Sequence, residues 1–300
     1  MTFVRDFCRE FAYPPEAEAA LCAALVAGLG GCAGFSPVSG AVWEWELSRY
    51  ERDETHNLYD GFYALRPVLK TVAAPQETTE LLFFILCAAH LRQLYAERGY
   101  TGEMYRNAMT DLRCKLLECH RLRGVWGSCV DHWFCGFYSL ERVALGRLQF
   151  ELRPMPACIS PDGQYAFRGG ELSVNVHIPS SGPLETAAVL DAYRQAAAFF
   201  ADRFPGDAVL LRCHSWLLFP GHRVMLPPTS HIRRFSDTFQ YIQTDISPEG
   251  SDLWRIFGAA DTADPAKLPR ETGLQRAYAD WLQAGKPVGA GLGIRWEPKL

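Results

Sequence analysis

The spacing of the apolar residues changes once along the chain, near Gly146, and no other feature constrains the fold as much. Before that point the spacing is helical and the segments end on terminators. Pro14-Pro15-Glu16 opens a run that closes among the glycines of 28–34, with proline inside the start and glycine past the end. A helix is expected over 76–98, with Glu77 and Glu80 near its start and Gly99 beyond its end. Another is expected over 101–123, from Thr101-Gly102-Glu103 to Gly124, with Asp111, Lys115 and Glu118 marking a solvated face. A further helical segment is read over 130–145. After Gly146, Leu148, Phe150 and Leu152 alternate with Gln149, Glu151 and Arg153, the period of a half-buried strand.

The turns Pro161-Asp162-Gly163 and Gly169-Gly170 then separate short strands near 165–167 and 172–178, which suggests an antiparallel meander. A helix over 183–204, a strand over 208–218, a helix over 231–239 and a strand over 241–246 follow. Helices near 252–257 and 273–284 and a final strand over 288–296 complete the series. The fold class expected is α+β, an α-helical domain over 1–143 followed by a mixed β-sheet domain with flanking helices over 144–300.

Thirty Lys and Arg against thirty-four Asp and Glu give a net charge of −4, and no basic run stands out, so a nucleic-acid partner is not expected. The longest apolar stretch, 19–35, is interrupted by Gly28, Gly30, Gly31 and Gly34, so no membrane span is expected. Arg5, Asp6, Arg9 and Glu10 break the order of a signal peptide, and a cytoplasmic protein is the expectation. The ten cysteines then read as free thiols. Cys114, Cys119, His120, Cys129, His132 and Cys135 are metal-ligand types, but no CxxC pair occurs among them. Thiol packing is the preferred reading, a metal site the alternative, and no metal is expected.

The junction from Ser173 to Leu184 runs Ser-Val-Asn-Val-His-Ile-Pro-Ser-Ser-Gly-Pro-Leu, a strand passing through a Ser/Gly turn into a helix, with Pro183 suited to the first helical position. A helix start preceded by small residues offers unpaired N–H groups and a dipole that favours phosphate. The alternative is an ordinary connection whose serines cap the helix.

Several segments carry a family resemblance: Val130-Asp131-His132-Trp133-Phe134, Gly136-Phe137-Tyr138-Ser139-Leu140, 145–151, Val176-His177-Ile178-Pro179 with Gly182-Pro183-Leu184, and Cys213-His214-Ser215-Trp216-Leu217-Leu218. The chain resembles a bacterial acyltransferase-domain family that pairs an N-terminal helical domain with a C-terminal domain similar to GNAT N-acyltransferases. That resemblance implies acyl-CoA or CoA as co-substrate. A central strand would hydrogen-bond the pantetheine arm, here at Asn175, Val176 and Ile178. The following loop and helix start would hold the pyrophosphate, here at Ser180, Ser181, Gly182 and Leu184. The usual Q/R-x-x-G-x-G/A loop is replaced by Pro179-Ser180-Ser181-Gly182-Pro183, in which each proline removes a donor.

Acyl transfer to an amine needs a proton acceptor and often an acid for the departing thiolate. His177 and His214 are the candidate catalytic residues on strands, with Ser215, or Tyr241, to supply the proton. The reading is an acyl-CoA-dependent N-acyltransferase acting on a small-molecule amine or similar acceptor in a crevice between domains. Its rival is a non-catalytic binding or regulatory module that keeps the fold. The oligomeric state is left open.

Gly28-Leu29-Gly30-Gly31 and Gly289-Ala290-Gly291-Leu292-Gly293 look like phosphate loops but read as turns, because neither has the strand-turn-helix setting. No G-x-S-x-G nucleophile elbow occurs. Trp133, Phe134, Phe137 and Tyr138 read as core or domain interface rather than a ligand cage.

Overall fold

The computed structural model describes residues 1–28, 58–130, 132–247, 250, 252–259 and 262–299. Gly30, Gly31, Gly34, Cys32 and Asp131 lie outside the described residues. The chain divides into two compact units, Met1–Ala144 and Leu145–Leu300.

The first unit is helical: α1 (Thr2–Glu10), α2 (Pro15–Gly28), α3 (Leu58–Leu69), α4 (Gln76–Glu97), α5 (Gly102–Arg123) and α6 (His132–Tyr138). Thr101 caps α5 by accepting from the Met104 amide, and Gly124 ends it in the left-handed conformation, as its flanking residues predict. Of the aromatic cluster, Phe134, Phe137 and Tyr138 are fully buried core, with Tyr138 donating to the Phe84 carbonyl at 2.5 Å, while Trp133 is half-buried. Asp111 is not on a solvated face. It is buried and accepts from the Trp133 indole at 2.8 Å.

The helix expected over 130–145 stops at Tyr138 because Leu140 takes a positive φ of 56° and turns the chain into β1 (Arg142–Leu145), all four residues of which are buried. Left-handed backbone at a leucine leaves no compositional trace.

β1 lies at the join of the units, and the two-residue turn Gly146-Arg147 leads into β2 (Leu148–Pro154). β3 (Cys158–Ile159) and β4 (Ala166–Phe167) pair only with each other as a small separate sheet, so the expected meander is interrupted. β5 (Leu172–His177), α7 (Thr186–Phe199) and β6 (Ala208–Ser215) follow, then α8 (His222–Met225), α9 (His231–Ser236) and β7 (Gln240–Ser247). α10 (Leu253–Phe257), α11 (Gly273–Gln283) and β8 (Val288–Pro298) complete the unit.

The main sheet has the order β1-β2-β5-β6-β8-β7. β5 pairs antiparallel with β2 and parallel with β6, so the sheet is mixed and the α+β reading holds. Alternation along β5 puts the buried Val174 and Val176 on one face and Ser173, Asn175 and His177 on the other.

α7 begins at Thr186, not at Pro183. Its buried residues Val189, Ala192, Tyr193 and Ala196 recur at helical spacing. The glycine run at 289–293 is a strand, not a turn. Gly289 and Gly291 sit where a Cβ would come within 2.1 Å of the Asp245 carbonyl oxygen and 2.3 Å of the Leu218 carbonyl oxygen, so β8 is glycine-rich because neighbouring backbone approaches it closely.

Candidate active site

Two parallel strands that part company make the opening of the site. β5 and β6 are in register only at Val174/Leu211 and Asn175/Arg212. On their outer sides β5 stays paired with β2 up to His177, and β6 stays paired with β8 up to Ser215. Each strand is therefore held by its outer neighbour while the inner ladder ends. The backbone of Val176, His177 and Ile178 faces a gap across which Cys213 and His214 stand.

The loop after β5 is organised by Arg147. Its guanidinium donates to the carbonyl oxygens of Pro179 at 3.0 Å, Gly182 at 2.5 Å and Pro183 at 3.0 Å. Across a trans peptide the N–H points opposite to the carbonyl, so the amides of Ser180 and Leu184 are turned away from Arg147. Gly182, at φ 138°, makes the turn that allows this. The same geometry explains why α7 starts late. Its first internal bond runs from the Val189 amide to the Glu185 carbonyl, leaving the amides of Thr186, Ala187 and Ala188 without helical partners and without a side-chain cap. The result is a set of backbone donors at a helix N-terminus with a fixed cation behind the loop, despite the two prolines.

The sequence-derived site residues fall into three groups. Ser180, Ser181 and Gly182 are exposed on the loop. Val176 and Leu184 have buried side chains, so only their backbone is available to a ligand. Ile178 leads out of β5, and Asn175 lies with its amide 2.9 Å from Nε2 of His177.

His177 belongs to a half-buried polar row. Its Nε2 is 2.8 Å from Oε1 of Glu151, a carboxylate that is 4% exposed and also paired with Arg153 at 3.1 Å. Register places Glu151, Asn175 and Arg212 side by side on three strands. Burial lowers the Arg212 guanidinium below its ordinary range, and the Glu151 charge opposes that fall.

His214 is half-exposed, with Nε2 2.7 Å from Oδ2 of Asp245, whose other oxygen accepts from Gln243 at 2.9 Å. Beside this pair opens a cavity of about 170 Å³ whose walls include Trp216 and Tyr278. Tyr278 donates to Nε2 of the buried His222 at 2.5 Å, and Nδ1 of His222 is 3.3 Å from the Leu217 carbonyl. Burial pulls His222 down to about 4. Ser215 accepts from the Leu217 amide at 3.2 Å and so caps the turn that ends β6. Tyr241 donates to the Leu218 carbonyl, which ties its hydroxyl to the same turn.

Arg147, Glu151 and Asp245 were not singled out by the sequence. The one available signal was Glu151, a charge at the centre of an alternating strand. The cysteine and histidine cluster does not converge as a metal site: among the described residues no three His, Cys, Asp or Glu side chains are placed to hold an ion. Cys119 and Cys129 do meet, with Sγ atoms 3.0 Å apart, and His120 stacks on Trp126.

Comparison with known families decides the kinship of this architecture. The GNAT-like C-terminal domain family matches residues 143–295, and the N-acyltransferase N-terminal domain family matches residues 2–140. The chain belongs to the N-acyltransferase family with a GNAT-like C-terminal domain. Crystal structures with the same fold include an acyltransferase in complex with decanoyl-CoA and teicoplanin, at 22% identity and a TM-score of 0.72 over 98% of this chain and 88% of that one. A mutant acyltransferase in complex with octanoyl-CoA aligns at 21% identity and a TM-score of 0.73, with the same coverage. An acyltransferase in complex with CoA and 10C-teicoplanin aligns at 21% and 0.72, again over 98% and 88%. No curated protein matches the sequence. Among the described residues of this N-acyltransferase-family chain, no helix is long and apolar enough to cross a membrane.

Proposed function

We propose that the protein is an acyl-CoA-dependent N-acyltransferase. The observation that carries this reading is the gap between β5 and β6, which leads directly to the loop held by Arg147 and the uncapped start of α7. A pantetheine arm fits such a gap because strand-edge N–H and C=O groups match its amides, and the donors at the loop and helix suit its pyrophosphate. The relatives crystallised with CoA, octanoyl-CoA and decanoyl-CoA support the same ligand class.

In the proposed reaction the amine nitrogen attacks the thioester carbonyl, the C–N bond forms and the C–S bond breaks. His177 takes the proton lost by the amine. In this reading Nε2–H donates to Glu151, which requires the Asn175 amide to present its oxygen rather than its nitrogen to that ring atom, and Nδ1 is the nitrogen that receives the proton. The Ser215 hydroxyl, anchored as an acceptor by the Leu217 amide, relays a solvent proton to the departing thiolate in one concerted step, so that no alkoxide forms.

The test is release of free CoA thiol from acetyl-, octanoyl- and decanoyl-CoA in the presence of a panel of primary amines, with the acyl amide identified by mass spectrometry. Amine-dependent thiol release that disappears in His177→Ala supports the reading. Binding of acyl-CoA with no turnover on any amine would favour a ligand-binding module instead.

A further inference from the structure

The cavity beside His214 and Asp245 has a chemical character of its own. Its charged wall is acidic: Asp245 and Asp252 contribute carboxylates beside the polar groups of His214, Ser247 and Tyr278, and among the described residues no Lys or Arg lines it. Asp252 is already paired with Arg255 at 2.9 Å, and Asp245 is the carboxylate that faces His214. The remaining wall is apolar or aromatic, from Trp216, Leu253, Ile256 and Tyr278. At about 170 Å³ the space suits one ring, since a cavity of roughly 150 Å³ accepts benzene.

The position matters as much as the lining. From the paired residues Val174 and Leu211, both strands run three further positions to His177 and His214, so the two histidines stand at corresponding places on either side of the gap. A ligand in this cavity thus abuts the place where the thioester would lie if the acyltransferase reading holds.

We propose that this cavity is the acceptor pocket and that it takes a primary amine carried on a compact apolar or aromatic frame. Asp245 holds the incoming ammonium by charge-assisted hydrogen bonding, the ammonium releases one proton to solvent before the neutral amine attacks, and His214, itself bonded to Asp245, fixes the orientation of that carboxylate. Trp216 and Tyr278 add aromatic faces suited to a cation or a ring. An organic acid of the same shape is refused, because its carboxylate would lie against Asp245 unpaired. His214 and Asp245 are specificity residues in this account, while His177 takes the proton. The assignment rests on the acyltransferase reading only for the word acceptor; the binding preference stands on the cavity itself.

The experiment is direct titration with 2-phenylethylamine and with its acid counterpart, 3-phenylpropionate, with and without saturating CoA. The amine is expected to bind at least about tenfold more tightly than the acid, and Asp245→Asn is expected to remove that preference. CoA affinity should be unchanged in Asp245→Asn. A second variant, Ala290→Phe, places a ring in the cavity beside Asp245, its cross-strand partner, and should abolish amine binding while the fold persists by thermal melting. Equal binding of amine and acid, no amine binding by the wild type, or amine binding indifferent to both variants would overturn the proposal. So would an octanoyl-CoA affinity that exceeds that for acetyl-CoA and collapses in Ala290→Phe, since the cavity would then hold the acyl chain. Failure of CoA to bind at all, with the amine preference intact, would overturn the acyltransferase reading and leave this one standing.

Discussion

Nε2 of His177 lies 2.8 Å from Oε1 of Glu151, and that buried carboxylate gives an imidazole at the end of β5 a single orientation. Burial of an ionised carboxylate is costly unless it is paired. Here Arg153 and His177 both pair it, and the row continues to Arg212. With this pair as proton acceptor, His177→Ala and Glu151→Gln should each lower the rate of amine acylation by roughly a hundredfold or more. The dissociation constant for acyl-CoA should stay near the wild-type value in both. Equal loss of rate and of acyl-CoA binding would mean that the pair only holds β5 in place.

Arg147 should matter for a different step. Its guanidinium makes three hydrogen bonds to loop carbonyls, which turn the Ser180 and Leu184 amides to the opposite side. Charge-assisted bonds of this kind contribute about 2 kcal/mol each. Arg147→Ala is therefore expected to weaken CoA binding by at least about thirtyfold and to lower the melting temperature while a single cooperative transition is kept, as read by calorimetry and thermal unfolding together.

Much of the fold was legible in local chemistry, and the site was not. Thr101 and Gly124 mark both ends of α5, and the Leu148, Phe150, Leu152 alternation marks β2, because caps and periodicity are properties of neighbouring residues. The junction at 173–184 was legible for the same reason. The pairings that make chemistry span 26 residues for Glu151 and His177, 31 for Asp245 and His214, and 35 for Arg147 and Gly182. Strand order and register decide those pairings, and neither is written in local pattern. β1 was hidden by Leu140, whose positive φ ends a helix that composition would have continued.

Gly291 offers a test of the sheet itself. A Cβ there would lie 2.3 Å from the Leu218 carbonyl oxygen and 2.9 Å from the Tyr241 ring, so relief requires backbone movement. Gly291→Ala should destabilise the protein by at least about 2 kcal/mol by overpacking, whereas Gly285→Ala, with nothing near its Cβ, meets only the strain of its positive φ of 68°. Chemical denaturation of the two variants measures the difference.

His222 sets a pH dependence. Burial lowers it from 6.5 to about 4, so between these values the unfolded chain binds a proton that the folded chain does not. Stability from this residue is complete above pH 6.5 and falls as the pH drops toward 4, by about 3 kcal/mol in all. His222→Gln should be less stable than wild type at pH 7.5 and should lose less on acidification, which denaturation curves at pH 7.5 and pH 4.5 would register.

The central claim is that the Arg147-held loop and the start of α7 receive the pyrophosphate of an acyl-CoA. Ser181 is exposed at the tip of that loop, and a negative charge there should repel a pyrophosphate without disturbing any packed side chain. Calorimetric titration of CoA and acetyl-CoA into wild type and Ser181→Glu therefore tests it most directly. The account predicts saturable binding by the wild type and a loss of at least about tenfold in the variant. Binding of equal strength to both proteins, or none to the wild type by these or longer acyl-CoAs, would contradict it.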